Sequence, residues 1–228
     1  MSIKHWLASE RPREKLLSLG AESLSNAELL AIFLRHGSRG SSAVELARTT
    51  LEHFGELSAL LNANYSQFKR IKGFGKVKYI ELQAILELNR RYLYENLSKQ
   101  TIQRSEQAYD YLLAKLSQRK REIFACLLLD NQNRLIHYQE LFQGSLRQAD
   151  IYPREIVKVA LEHNAAAIIL AHNHPSGHAT PSDMDICVTA QIRQALKLVD
   201  IHLLDHIVIG HGETSSIMQI QERTLSLD

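Results

Sequence analysis

Apolar positions follow two regimes along this chain. Through roughly the first 100 residues they recur at three- and four-residue spacing, the period of helices with one buried face. Ser25-Asn26-Ala27-Glu28 has the spacing of a capping box, and Leu29, Leu30, Phe33 and Leu34 follow at helical intervals. Ser42 is placed to cap a second helix carrying Val44, Leu46, Ala47, Leu51 and Phe54, which Gly55 ends. Leu57, Leu60 and Leu61 begin another helix. A last one carries Ile80, Leu82, Ala84, Ile85 and Leu88 and closes at Arg90-Arg91.

Residues Tyr94 to Ser105 are polar and weakly periodic, the signature of a linker between domains at 1–98 and 106–228. Beyond Ser105 short apolar runs take over. Glu106–Leu116 reads as a short amphipathic helix, and Glu122–Leu129 as a buried strand. Asp130–Asn133 is a polar turn, and Arg134–Gln143 is the returning strand of a hairpin. Pro153 suits the first turn of a helix reaching about His163. Ala165–Ala171 is a second buried strand, Ser182–Val199 a helix, and Leu203–Ile209 another buried strand. This order predicts an α+β chain of two domains: a small all-α domain, then a mixed sheet with helices packed on it.

Composition narrows the class. Hydrophobic content of 45% and charged content of 23% are ordinary for a globular protein. A net charge of +2 gives no global case for nucleic-acid binding, so any such case must be local. Cys126 and Cys187 both lie in apolar surroundings (FACLLL, DICVTA), which predicts buried thiols and no disulfide. Met1–Glu10 does not read as a signal peptide. No apolar run approaches the length of a membrane span, so the expected location is the cytoplasm.

The chemistry concentrates in His172-Asn173-His174-Pro175-Ser176-Gly177 and Pro181-Ser182-Asp183-Met184-Asp185. Two histidines two apart in an extended segment point to one side. Asp185 returns a carboxylate eleven residues after His174. Two nitrogens and one oxygen with an open position are the usual way to hold a catalytic zinc. Asp185 has a plainer reading as well. Ser182-x-x-Asp185 opens a helix, so it is also a candidate capping box. Asp205 and His206, on the last strand, are candidates either to orient the ligands or to form a buried structural pair. His178 is expected to be exposed.

HNHPSG…PSDMD resembles the motif of the JAMM (JAB, MPN) metalloproteases, in which a distal Glu precedes HxHP and SxxD. Tyr152–Glu155, His163–Ala166 and Leu204–His206 are similar to the RadC branch of that superfamily, as are Arg11–Leu16, Leu24–Leu34 and the KGFGKVK hairpin. The resemblance implies a cytidine-deaminase-like sheet domain and a hydrolase. It implies that His172, His174 and Asp185 bind Zn2+ and that Ser182 stabilises the tetrahedral intermediate. A distal Glu would be the general base. Glu122, just ahead of its strand, fits that place best; Glu140 is the alternative and Glu155 the weaker one. Against the hydrolase stands a second class of reading, a metal-containing scaffold associated with DNA.

That association rests on Lys72-Gly73-Phe74-Gly75-Lys76, which resembles a helix–hairpin–helix. Glycines let backbone amides approach a phosphate, and Lys69, Arg70, Lys72, Lys76 and Lys78 add local charge. The plain alternative is a turn that packs two helices with solvated lysines around it.

Overall fold

A computed structural model describes residues 3–38, 40–144 and 151–225. The chain divides into two units, Met1–Glu87 and Leu88–Asp228.

The first unit is helical: α1 (Pro12–Leu19), α2 (Asn26–Leu34), α3 (Ala43–Phe54), α4 (Leu57–Leu61), α5 (Tyr65–Phe68) and the start of α6 (Lys76–Lys99). Local chemistry sets the starts of α2 and α3. In α2, Ser25 accepts from the Glu28 amide at 3.3 Å while the Glu28 carboxylate accepts from the Ser25 amide at 2.8 Å. In α3, Ser42 and Glu45 repeat that exchange, and Gly55 stops the helix at φ 79°. The apolar stripes meet in one core around Leu34, Ala47, Leu60 and Phe68.

Helix α6 runs on through Lys99, so the stretch expected as a linker is helical over its first half. The reason is tertiary. Leu93, Tyr94 and Leu97 turn into the core of the second unit and supply an apolar face that YENLSK does not display as a local pattern.

The second unit holds α7 (Tyr109–Leu116), β1 (Ile123–Leu129), β2 (Leu135–Gln143), α8 (Pro153–Glu162), β3 (Ala167–Asn173), α9 (Asp183–Lys197), β4 (His202–Ile209), β5 (Thr214–Ser216) and α10 (Ile217–Leu225). The last strand and helix were not expected from sequence. The sheet order is β2-β1-β3-β4-β5. β3 and β4 are parallel and joined through α9, whereas β1 pairs antiparallel with both β2 and β3.

Every residue of β1 and β3 is buried, because both faces of the sheet are covered. Ile123, Ala125, Leu127 and Leu129 face α7. Phe124, Cys126 and Leu128 face the side of Ile156 and Ala160 from α8 and Ile192 and Leu196 from α9. Truncating one such residue, as in Leu127→Ala, would cost about 2–5 kcal/mol. His172 continues the α8–α9 face, two residues past Leu170. No helix among the described residues is long and apolar enough to cross a membrane. Cys126 is buried as expected, and burial pushes its thiol up to about 12. Cys187 is exposed instead. It lies on α9, where only one stripe faces the sheet, and DICVTA reads as apolar only when that rotation is ignored.

Candidate metal centre

The strand expected to end before the histidines carries one of them. His172 is buried within β3, and His174 follows its last residue. Their Nε2 atoms approach to 3.0 Å. His174 Nδ1 lies 3.0 Å from the carbonyl of His178, which only accepts, so this nitrogen carries the hydrogen and a neutral ring leaves Nε2 bare. His178 itself is exposed. The loop after His174 turns tightly enough to need Gly177, whose φ is 96° and whose missing Cβ would meet His211 Nδ1 at 2.8 Å.

Asp185 satisfies both of its sequence readings at once. It closes a capping box at the start of α9: Oδ2 accepts from the Ser182 amide and hydroxyl, each at 2.7 Å, and its own amide donates to Ser182 Oγ at 3.2 Å. The carboxylate is only 1% exposed, and among the described residues Oδ1 receives no hydrogen bond. Oδ1 stands 3.3 Å from His172 Nε2, and Oδ2 stands 3.6 Å from His174 Nε2. Burial alone would raise the Asp185 carboxyl; the adjacent His172 and His174 outweigh it and hold the group well below the usual carboxylate range. Asp185 in turn raises His174, against the opposing pull of its partial burial. The carboxylate therefore lies ionised where two imidazole nitrogens converge.

The three glutamates separate cleanly. Ligand atoms of Glu122, His172 and His174 all lie within 4.8 Å of one another. Glu140 instead pairs with Arg119 and accepts from the Tyr138 hydroxyl at 3.3 Å, and Glu155 pairs with Arg154 at 3.3 Å. Register explains the choice. Phe124 lies opposite His172 in the antiparallel β1–β3 ladder, so two residues further the chain brings Glu122 to His174. Asn173 secures that approach: its side chain accepts from the Ile123 amide at 2.8 Å and donates to the carbonyls of Arg119 and Arg121 at 3.1 and 3.2 Å. The sequence signal for Asn173 was its place between the histidines, on the opposite face of the strand. Two acidic groups thus compete for the histidines. Asp185, buried with an unserved oxygen, fits a ligand; half-buried Glu122 fits the rim.

Residues 102–224 match the family described as the RadC-like JAB domain, and residues 3–80 match the UPF0758 N-terminal family. The chain belongs to the RadC (UPF0758) family. It is 56% identical to a UPF0758 protein of Cellvibrio japonicus over 96% of this chain and 98% of that relative. Relatives from Aeromonas hydrophila and Marinomonas, also UPF0758 proteins, are 55% and 54% identical over the same shares.

The JAB domain holds more behind the histidines than the motif names. His206 is fully buried, with Nε2 at 2.8 Å from His172 Nδ1 and Nδ1 at 2.6 Å from Thr189 Oγ1. Burial, and then the neighbouring His172, push His206 well below the ordinary histidine value, so its ring is neutral. Asp205 faces elsewhere; its Oδ1 accepts from the His206 amide and the Ser216 hydroxyl, each at 2.7 Å. His206 therefore hydrogen-bonds a ring of the histidine pair, whereas Asp205 is bonded within its own strand and to Ser216.

In the UPF0758 N-terminal unit, the hairpin turns at Gly73 with φ 94°. Lys69, Arg70, Lys72 and Lys76 are exposed around it. Lys78 is committed to the turn: its ammonium donates to the Gly73 carbonyl at 2.8 Å and stands 5.4 Å from the Phe74 ring centre. A Cβ at Gly75 would meet nothing within 4 Å, so packing does not demand glycine there.

Proposed function

We propose that the JAB domain is a zinc-dependent hydrolase of amide or isopeptide-type bonds. The observation that carries this reading is the approach of His172 Nε2 and His174 Nε2 to 3.0 Å, with the buried Asp185 carboxylate at 3.3 Å from the first and 3.6 Å from the second. Two nitrogens and an oxygen suit zinc, and three protein ligands leave its fourth position open. A zinc ion held there supplies Lewis acidity, polarising a scissile carbonyl and bringing the pKa of a water to about 7.

The chain's own groups complete the chemistry. Glu122 at the rim takes a proton from the attacking water and returns it to the leaving amine. The Ser182 hydroxyl, which donates to Asp185 Oδ2, can turn about its Cβ–Oγ bond and donate to the developing oxyanion. The free thiols of Cys126 and Cys187 suit a reducing cytoplasm.

Metal analysis of the purified protein should find about one zinc per chain, lost in His172→Ala and His174→Ala. Exposure of the zinc form to a peptide mixture should then generate new amino termini, and Glu122→Gln should keep the metal while losing about 10²–10⁴-fold in that rate. Zinc that survives both alanine variants would refute the centre. Cleavage unchanged in Glu122→Gln would remove its role as base. Metal without cleavage would favour the scaffold reading.

The exposed cations around Gly73 support a second role, sequence-independent contact with the DNA backbone by the N-terminal unit. Salt-sensitive binding to duplex DNA should be lost when Lys69, Lys72 and Lys76 are all changed to Glu. Binding that survives this triple change would end the proposal.

A further inference from the structure

The deepest hydrogen bonds around the centre run in one direction only. The Asp185 backbone carbonyl can only accept, so the Thr189 hydroxyl, 2.5 Å away, must donate to it. With its hydrogen spent, Thr189 Oγ1 can only accept from His206 Nδ1 at 2.6 Å. His206, carrying its hydrogen on Nδ1, offers a bare Nε2, which accepts from His172 Nδ1 at 2.8 Å. His172 is then left with a bare Nε2, the atom that faces His174 and Asp185.

We infer that Thr189 and His206 are positioning residues that lock His172 in its cation-binding tautomer. The relay begins at one ligand's ring and ends on the backbone of another, so it ties β3, β4 and the first turns of α9 into a single arrangement. Thr189 and His206 are buried, and Phe124 packs edge-on against His206 at 5.2 Å and stacks on His172 at 6.1 Å. Solvent therefore has little access to substitute for a missing member. His174 achieves the same tautomer without a relay, through one bond to a loop carbonyl. The buried histidine relies on three further groups because its Nδ1 faces a ring nitrogen rather than a carbonyl. Hydrogen-bonded partners of metal-binding histidines commonly fix the tautomer in this way.

The inference rests on the zinc reading for its purpose, though not for its geometry, and the two can be tested apart. Long-range 1H–15N NMR of the metal-free protein at mildly alkaline pH should place the hydrogens of His172 and His206 on Nδ1 in both rings. In Thr189→Val, which keeps the shape and removes the acceptor, His206 should move its hydrogen to Nε2 and drive His172 to the wrong tautomer. The ring of His174 should not change. Cobalt(II) titration followed by visible absorption should then show Thr189→Val binding about 10–100-fold more weakly, with Thr189→Ser restoring near-normal affinity. Nε2–H on His206 in the unaltered protein, or cobalt affinity unchanged by Thr189→Val, would overturn the relay. If the unaltered protein shows the expected tautomers and binds no cobalt, the relay stands and the metal reading falls.

Discussion

Ser42 with Glu45 in the first unit, and Ser182 with Asp185 in the second, build the same device. In each, the serine oxygen accepts from the amide three residues on at 3.2 Å, and the carboxylate accepts from the serine amide at 2.7 Å. Their surroundings differ. The Glu45 carboxylate is at the surface, where the Ser42 amide bond holds it below its ordinary value. The shorter Asp185 is buried against His172 and His174 and keeps one oxygen that no donor among the described residues reaches. A cap is thus a rule about how a helix starts. Whether it becomes a ligand depends on what the rest of the chain lays over it.

The sharpest way to break this comparison is at the carboxylates. Asp185→Ala should lower zinc or cobalt affinity by well more than the roughly 10–100-fold seen when only a group supporting a ligand is lost. Glu45→Ala should leave metal affinity unchanged in the same titration. Equal effects would mean that Asp185 is a cap and nothing more. A smaller effect is expected at the serines. Ser182→Ala should lower metal affinity and also cost about 1 kcal/mol in chemical denaturation of the metal-free protein. Ser42→Ala should show the same loss of about 1 kcal/mol and no metal effect, the smallest change of the set. A loss of metal affinity in Ser42→Ala would show that the two caps are not independent.

Much of this molecule was legible in sequence where local rules govern. The helix caps at Ser25, Ser42 and Ser182 and the stop at Gly55 are short-range hydrogen-bond patterns, and the chain adopts all four. The buried strands stood out because a sheet covered on both faces makes nearly continuous apolar runs. The histidine pair was legible from the alternation of a strand, which places His172 and His174 on one side.

The misses came where a residue's fate depends on distant partners. The polar stretch before Lys99 is helical because Leu93, Tyr94 and Leu97 find a core that their neighbours in sequence do not provide. Cys187 sits in apolar text and is exposed, since a helix buries one stripe and DICVTA winds around it. Thr189 lies inside the helix expected over Ser182–Val199, with no local pattern that singles it out. Its hydroxyl matters because β4 sets His206 against α9.

By itself, the sequence determined where the capped helices begin and which strands are buried, and it singled out two imidazoles and a carboxylate as candidate ligands in this RadC-family chain. Only the tertiary structure decided which glutamate reaches them, which oxygen is left unserved, and how His172 holds its hydrogen. Capping and alternation act over a few residues and are written in local spacing. The choice of Glu122 over Glu140 follows from the register of β1 on β3, and the relay from the packing of β4 against α9. Those alignments join residues 17 to 50 positions apart, and only burial of the whole sheet fixes them.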